Sequence, residues 1–151
     1  GMEVKKNISL PCLSEVESMG LLNNKKETAL AKKHILQLGI KTPTENQITK
    51  NLSGGNQQKI VLAKWLELNP KILLLDEPTR GIDVNAKNEM YKLMQELVSN
   101  GMGIIMVSSE LTEILTVANR ILVMAEGKVT AEIPAGKATE DNVLKAAISI
   151  N

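Results

Sequence analysis

The 151 residues are enough for one domain with a substantial core, and 18 basic against 17 acidic side chains leave a net charge of +1. No basic tract marks a nucleic-acid surface, so nucleic acid is not an expected partner. A single cysteine, Cys12, excludes an internal disulfide framework; its thiol is expected to be buried and inert in a reducing compartment. No signal peptide is read at the start and no apolar run approaches the roughly 18 residues of a membrane span, so the chain is expected to be soluble and cytosolic. Gly1 ahead of Met2 reads as a tag scar, with the natural product beginning at Met2 or being a piece of something longer. With no Phe, one Trp (Trp65) and one Tyr (Tyr91), the core must be aliphatic and rich in methionine.

Residues 2 to 50 are polar. Ser14 to Gly20 suggests a short helix and Asn24 to Leu38 a longer one, with Leu30, Ile35, Leu36 and Leu38 on its apolar side and Gly39 as a stop. His34, the only histidine, has no evident partners for a ligand role and is expected at a solvated helix position. Thr42 to Lys50 reads as a loop. NLSGGNQQK at 51–59 then opens into a helix whose apolar spacing is set by Val61, Leu62, Trp65, Leu66 and Leu68. Gly54 and Gly55 therefore sit at or just inside a helix N-terminus. Free backbone N–H groups, the helix dipole and glycines that allow close approach make this an anion site, or else Ser53 is a simple N-cap and the glycines fit a tight turn. Taken alone, the second reading is the commoner.

Lys71 to Asp83, KILLLDEPTRGID, is the stretch around which the rest is organised. Ile72 to Leu75 is aliphatic and too short for a helix, so it is expected to be a strand buried on both faces, with Asp76 and Glu77 at its C-terminal end. That edge is where α/β sheets bind ligands; the plainer alternative is a pair of exposed turn carboxylates. Val84 to Ser99 is an amphipathic helix stopped by Asn100 and Gly101. Gly103 to Ser108 is a second strand, Glu110 to Val117 a short helix, and Ile121 to Ala125 a third strand turned at Glu126-Gly127 into Lys128 to Ile133 as a hairpin. Thr139 to Ile148 closes the chain as a helix. The alternation of strands and helices implies a parallel, three-layer α/β core.

LSGGNQQK at 52–59, ILLLDEPT at 72–79, GID at 81–83 and VSSE at 107–110 together resemble an ATP-binding cassette (ABC) ATPase. More narrowly, LSGGNQQK with AKWL and DEPTRGIDV resembles the C-terminal cassette of the fused two-cassette ATPases that power bacterial sugar import. The resemblance implies a partial P-loop NTPase core with parallel strands, part of the helical subdomain (1–51), half of the catalytic core (52–125), and a C-terminal hairpin and helix (126–151). It implies ATP and Mg²⁺ as cofactors. Asp76 would hold Mg²⁺ through water, and Glu77 would polarise the water that attacks the γ-phosphate. Leu52, Ser53, Gly54, Gly55, Asn56 and Gln57 match the signature loop, which contacts ATP bound on an opposite cassette, and Asp83 matches the loop that couples the two sites. An N-cap role for Asp83 is equally open.

The departures from that pattern are specific. Asn56 replaces a common Gln, as is typical of the sugar-import group. Ser109 stands where most members carry a switch histidine, and an N-cap role for the helix at Glu110 suits it better. No G-x-x-x-x-G-K-[ST] phosphate loop occurs in the chain, nor an adenine-stacking aromatic or Q-loop glutamine. The resemblance implies as partners a second cassette, membrane permease subunits and, indirectly, a sugar-binding protein, with the assembly peripheral on the inner face of the membrane. Alone, the chain should hydrolyse ATP negligibly and could self-associate through exposed sheet edges. The rival readings are an ATPase lobe of a DNA-repair or chromosome protein, disfavoured by the lack of heptads in 2–50, and a non-catalytic interaction module.

Overall fold

Short polar segments at the start are folded by a few apolar side chains rather than by periodicity. The computed structural model describes residues 1–18 and 20–148. It divides into two compact units, 1–105 and 106–151. In the first, helix α1 (Val4–Ser9) buries Val4 and Ile8 completely and packs on helices α3 (Asn24–Gln37) and α4 (Gly54–Leu66). Each such fully buried aliphatic side chain contributes about 1.5–3 kcal/mol. That is how a segment of six residues with two basic side chains becomes helical.

The helix expected over 14–20 is replaced by a shorter one, α2 (Leu13–Val16), after which β1 (Glu17–Ser18) pairs antiparallel with β2 (Leu21–Leu22). Asn23 caps α3, its side chain accepting from the amides of Lys25 and Lys26. Of the aliphatic side expected for α3, only Leu38 is fully buried. Glu27, Ala31, His34 and Leu38 face inward, while Leu36 is 86% exposed. Glu27 accepts from Ser9 Oγ at 2.7 Å, and His34 Nε2 lies 2.5 Å from Glu67 Oε2. The solvated position expected for His34 is therefore overturned: a carboxylate just past the end of α4 supplies the partner that local sequence did not reveal.

Strand β3 (Ile72–Asp76) leads through helix α5 (Val84–Ser99) to β4 (Gly103–Val107), its hydrogen-bonded neighbour. The Gly103 amide donates to the Lys71 carbonyl at 2.9 Å, so the two strands start side by side and run parallel, as a helical crossover requires. The expectation of burial on both faces does not hold. Leu73 is buried, whereas Ile72 and Leu74 are 62% and 72% exposed. Leu74 faces an open depression of about 120 Å³, with Val61, Trp65 and Met90 around it, instead of a packed layer. On α4, likewise, Ile60, Leu62 and Ala63 are buried but Val61 and Trp65 stay about half exposed, as does Leu68 just beyond it. Both elements carry more apolar surface than this unit covers.

In the second unit, helix α6 (Leu111–Val117) precedes β5 (Arg120–Ala125) and β6 (Lys128–Pro134), an antiparallel hairpin turned at Glu126 and Gly127, both at positive φ. The hairpin expected from Ile121 to Ile133 is present, but its first strand does not add to the parallel sheet, which among the described residues has two strands. Helix α7 (Glu140–Ile148) places Val143 against Ile121 and Val123 in a small core completed by Leu111, Ile114 and Ile133. No helix among the described residues is long and apolar enough to cross a membrane.

Candidate functional site

Ser53 occupies the N-cap position of α4 in extended conformation, but its hydroxyl caps nothing. It accepts instead from Asn56 Nδ2 at 2.8 Å, while Asn56 Oδ1 accepts from the Lys41 amide at 2.7 Å and Gln57 Nε2 donates to the Leu52 carbonyl at 2.8 Å. The first-turn amides of α4 thus have no side-chain cap, leaving the positive end of the helix open to an anion. The glycines answer a steric demand. A Cβ on Gly55 would lie 2.6 Å from the Ala86 Cβ, and one on Gly54 3.2 Å from Ile82 Cγ2. Only residues without a side chain let the start of α4 meet the start of α5 this closely.

Asp83 is the N-cap of α5, its carboxylate accepting from the Ala86 amide at 3.0 Å. It also borders a shallow depression of about 120 Å³ with Ser53, Gly55, Asn56, Lys41 and Glu89. Pockets that enclose a drug-sized ligand run to about 300–1,000 Å³, so this one does not by itself enclose a ligand of that size. Behind it lies a network that sequence reasoning missed. Lys59 is 7% exposed and donates to Glu89 Oε2 at 2.8 Å and to the Gly39 carbonyl at 3.2 Å, and Lys41 Nζ reaches Glu89 Oε1 at 3.3 Å. The bonds from Lys59 and then Lys41 hold the Glu89 carboxyl below its usual range. Lys59 closes the glycine-rich motif and was visible there, but no local spacing pairs it with Glu89.

The strand-end carboxylates are placed separately. Asp76 is exposed and borders the apolar depression beside Gln58, Trp65 and Leu74, not the one that holds Ser53. Glu77 is half buried and adopts φ 47°, a left-handed conformation that a non-glycine residue takes only when its surroundings impose it. The turn that follows, with the Arg80 amide donating to the Glu77 carbonyl at 3.1 Å and Thr79 buried beneath it, fixes where that carboxylate leaves the chain. The structure brings Ser53, Gly55 and Asn56 together with Asp83, and sets Asp76 and Glu77 at a second place on the same unit.

Ser109 belongs to the other unit and is exposed. The cap role expected of it is filled differently. Glu110 holds the N-cap position of α6, and Ser108 Oγ accepts from the Glu110 amide at 3.1 Å while bonding the buried Glu113 carboxylate. The preceding serine wins because it sits two residues before the amide, the reach of a hydroxyl turn.

A family profile described as "ABC transporter" matches residues 2–80. A xylose import ATP-binding protein from Thermoanaerobacter pseudethanolicus is 50% identical over 143 residues, which is 95% of this chain and 28% of that protein. Ribose import ATP-binding proteins from Clostridium perfringens and Bacillus subtilis are 47% and 49% identical, covering 100% and 93% of this chain. The chain spans about 30% of the length of these relatives. Among solved structures, the cassette MJ1267 of an ABC transporter superposes with a TM-score of 0.75 at 19% identity, covering 98% of this chain and 63% of that one. A dimeric post-hydrolysis cassette, MJ0796, bound to ADP and phosphate, gives 0.72 at 23% identity over 89% of this chain and 57% of that one. The fold is accordingly that of part of an ABC ATPase cassette.

Proposed function

Because this chain belongs to the ABC transporter family, we propose that it is part of the ATP-binding subunit of a sugar importer, supplying one half of a composite ATPase site. The observation that carries this reading is the uncapped start of α4, pressed through Gly54 and Gly55 against the start of α5, with Ser53, Asn56 and Asp83 around one shallow depression. A helix end with free amides and no enclosed volume suits the γ-phosphate of a nucleotide held mainly by another cassette. The naming of its relatives as ribose and xylose import ATP-binding proteins supports a monosaccharide as cargo of the whole transporter.

In this reading Leu52 to Gln57 form the signature loop, Asp83 couples the two sites, and Glu77 polarises the attacking water. Asp76 fits Mg²⁺, a hard ion that keeps several of its waters, because it offers a solvent-open carboxylate at the end of a strand. The ion would neutralise phosphate charge there; Asp76 would orient it through water. Ser109 stands at the switch position, where a hydroxyl can donate one hydrogen bond but carries no imidazole charge. Residues 1–51 belong to the helical subdomain, 52–125 to the catalytic core and 126–151 to the closing hairpin and helix. With no phosphate loop in the sequence, the chain by itself binds ATP weakly and turns it over negligibly. Its partners are a second cassette and permease subunits at the inner membrane face, and the exposed Trp65, Ile72, Leu74 and Ile105 support self-association of the isolated chain.

Calorimetry with Mg-ATP, with and without a purified cassette carrying a phosphate loop, tests this. Tight binding in the mixture alone, lost on Ser53→Arg, is the expected result. Equally tight binding by this chain alone, or turnover by it that Glu77→Gln abolishes, would overturn the half-site.

A further inference from the structure

A serine at an N-cap ordinarily turns its oxygen onto the amides of the first helical turn, and Ser53 does not. The side chain three residues on holds it away. Asn56 Nδ2 donates to Ser53 Oγ at 2.8 Å, while Asn56 Oδ1 accepts from the Lys41 amide at 2.7 Å. In a capping box the third helical residue reaches back to the backbone amide of the cap; here it takes the cap hydroxyl itself. We propose that Asn56 is a positioning residue that withholds the Ser53 hydroxyl from α4. The first-turn amides then stay open, and the hydroxyl proton is left for the γ-phosphate of a nucleotide held by the second cassette. This role rests on the half-site reading of the start of α4.

The orientation of the Asn56 side chain is decided by its partner. A backbone N–H can only donate, so the amide oxygen faces Lys41 and the amide nitrogen faces Ser53. The way α3 ends delivers that donor. Gly39, at φ 58°, and Ile40 close the helix, their amides donating to the Leu36 and Ile35 carbonyls at 3.3 and 2.9 Å. The Lys41 amide is the next along the chain, and it goes to Asn56 instead. Ile40 is buried and the Gly39 carbonyl accepts from Lys59 Nζ, which ties this segment to α4. The Lys41 ammonium reaches Glu89, which ties it to α5. Asn56 therefore meets a donor anchored on both helices. Since Ser53 Oγ accepts from Asn56, its own hydrogen remains to be donated, and a hydroxyl that accepts one bond gives a stronger second one. A phosphate oxygen would make that second bond charge-assisted.

Two measurements on Asn56→Ala, Ser53→Ala and the double variant test this. Ser53 is exposed and Asn56 half buried, so neither change opens the core. In the chain alone, amide hydrogen exchange at Gly55 and position 56 should slow about fivefold in Asn56→Ala, where Ser53 is released to act as an ordinary N-cap, and should not slow in the double variant. In calorimetry with Mg-ATP and a cassette carrying a phosphate loop, Ser53→Ala should weaken binding about 10–100-fold and Asn56→Ala about tenfold, with the double variant no weaker than Ser53→Ala. Equal exchange in Asn56→Ala and the double variant would mean that Ser53 is not held back. Losses that multiply in the double variant would mean that Asn56 meets the nucleotide directly. Either result would overturn the positioning role and leave the half-site standing. Binding that Ser53→Ala leaves intact would overturn the half-site, and the role of Asn56 with it.

Discussion

The two ends of α4's neighbourhood differ in what holds them. The start of α4 is fixed from every side: Gly55 against Ala86, Asn56 bonded to Ser53 and Lys41, Lys59 tied to Glu89 and Gly39. The end of β3 has a strained Glu77 and a buried Thr79 beneath it, yet the strand that delivers them shows Ile72 and Leu74 to solvent. One region is complete within the chain, while the other presents apolar surface that this chain does not cover. The anion surface proposed for the first region would need its geometry in place before its partner arrives, and the packing and hydrogen bonds there hold it so.

Substitutions should sort along that difference. Gly55→Ala has the largest expected effect, because a Cβ 2.6 Å from Ala86 forces the helix starts apart: about 1–3 kcal/mol less stability by urea unfolding, restored in part by adding Ala86→Gly. Lys59→Met comes next. It strips Glu89 and the Gly39 carbonyl of a buried donor, and since the Glu89 side chain is 45% exposed and can turn to water, about 1.5 kcal/mol is expected by the same measurement. Asp83→Ala should cost about 1 kcal/mol through the lost cap on α5, with Asp83→Asn close to neutral. At the open strand, Leu74→Lys should change stability by no more than about 0.5 kcal/mol while lowering self-association seen by sedimentation velocity. A large loss of stability there would mean that this face is packed after all.

The Glu89 network also predicts a pH dependence, the smallest effect. The carboxyl of Glu89 is lowered from its ordinary value of 4.5, so its contribution is complete above that pH and disappears as the pH falls through the folded value. The difference in stability between the native chain and Glu89→Gln should therefore narrow on acidification below about pH 4.5. A difference that stays constant down to pH 2 would show that the lysines do not stabilise the carboxylate.

Local chemistry determined a good deal of this protein. The Val84–Ser99 helix, the Asn24 helix start, the Glu126-Gly127 hairpin and the strand ending in Asp76 follow from caps, stops and apolar periodicity, each read over a short local stretch. The glycines at 54 and 55 pointed to a helix start, but the reason they are required lies in Ala86 and Ile82, some 30 positions away and brought there by packing. His34 read as a surface residue for the same reason, and nothing near Lys59 in the sequence names its partner. Each is buried and paired with a carboxylate distant in sequence, Glu67 for His34 and Glu89 for Lys59. The exposure of Ile72 and Leu74 was likewise beyond the sequence. An aliphatic run states that a strand has two faces to bury, and only the tertiary arrangement decides how many of them find cover.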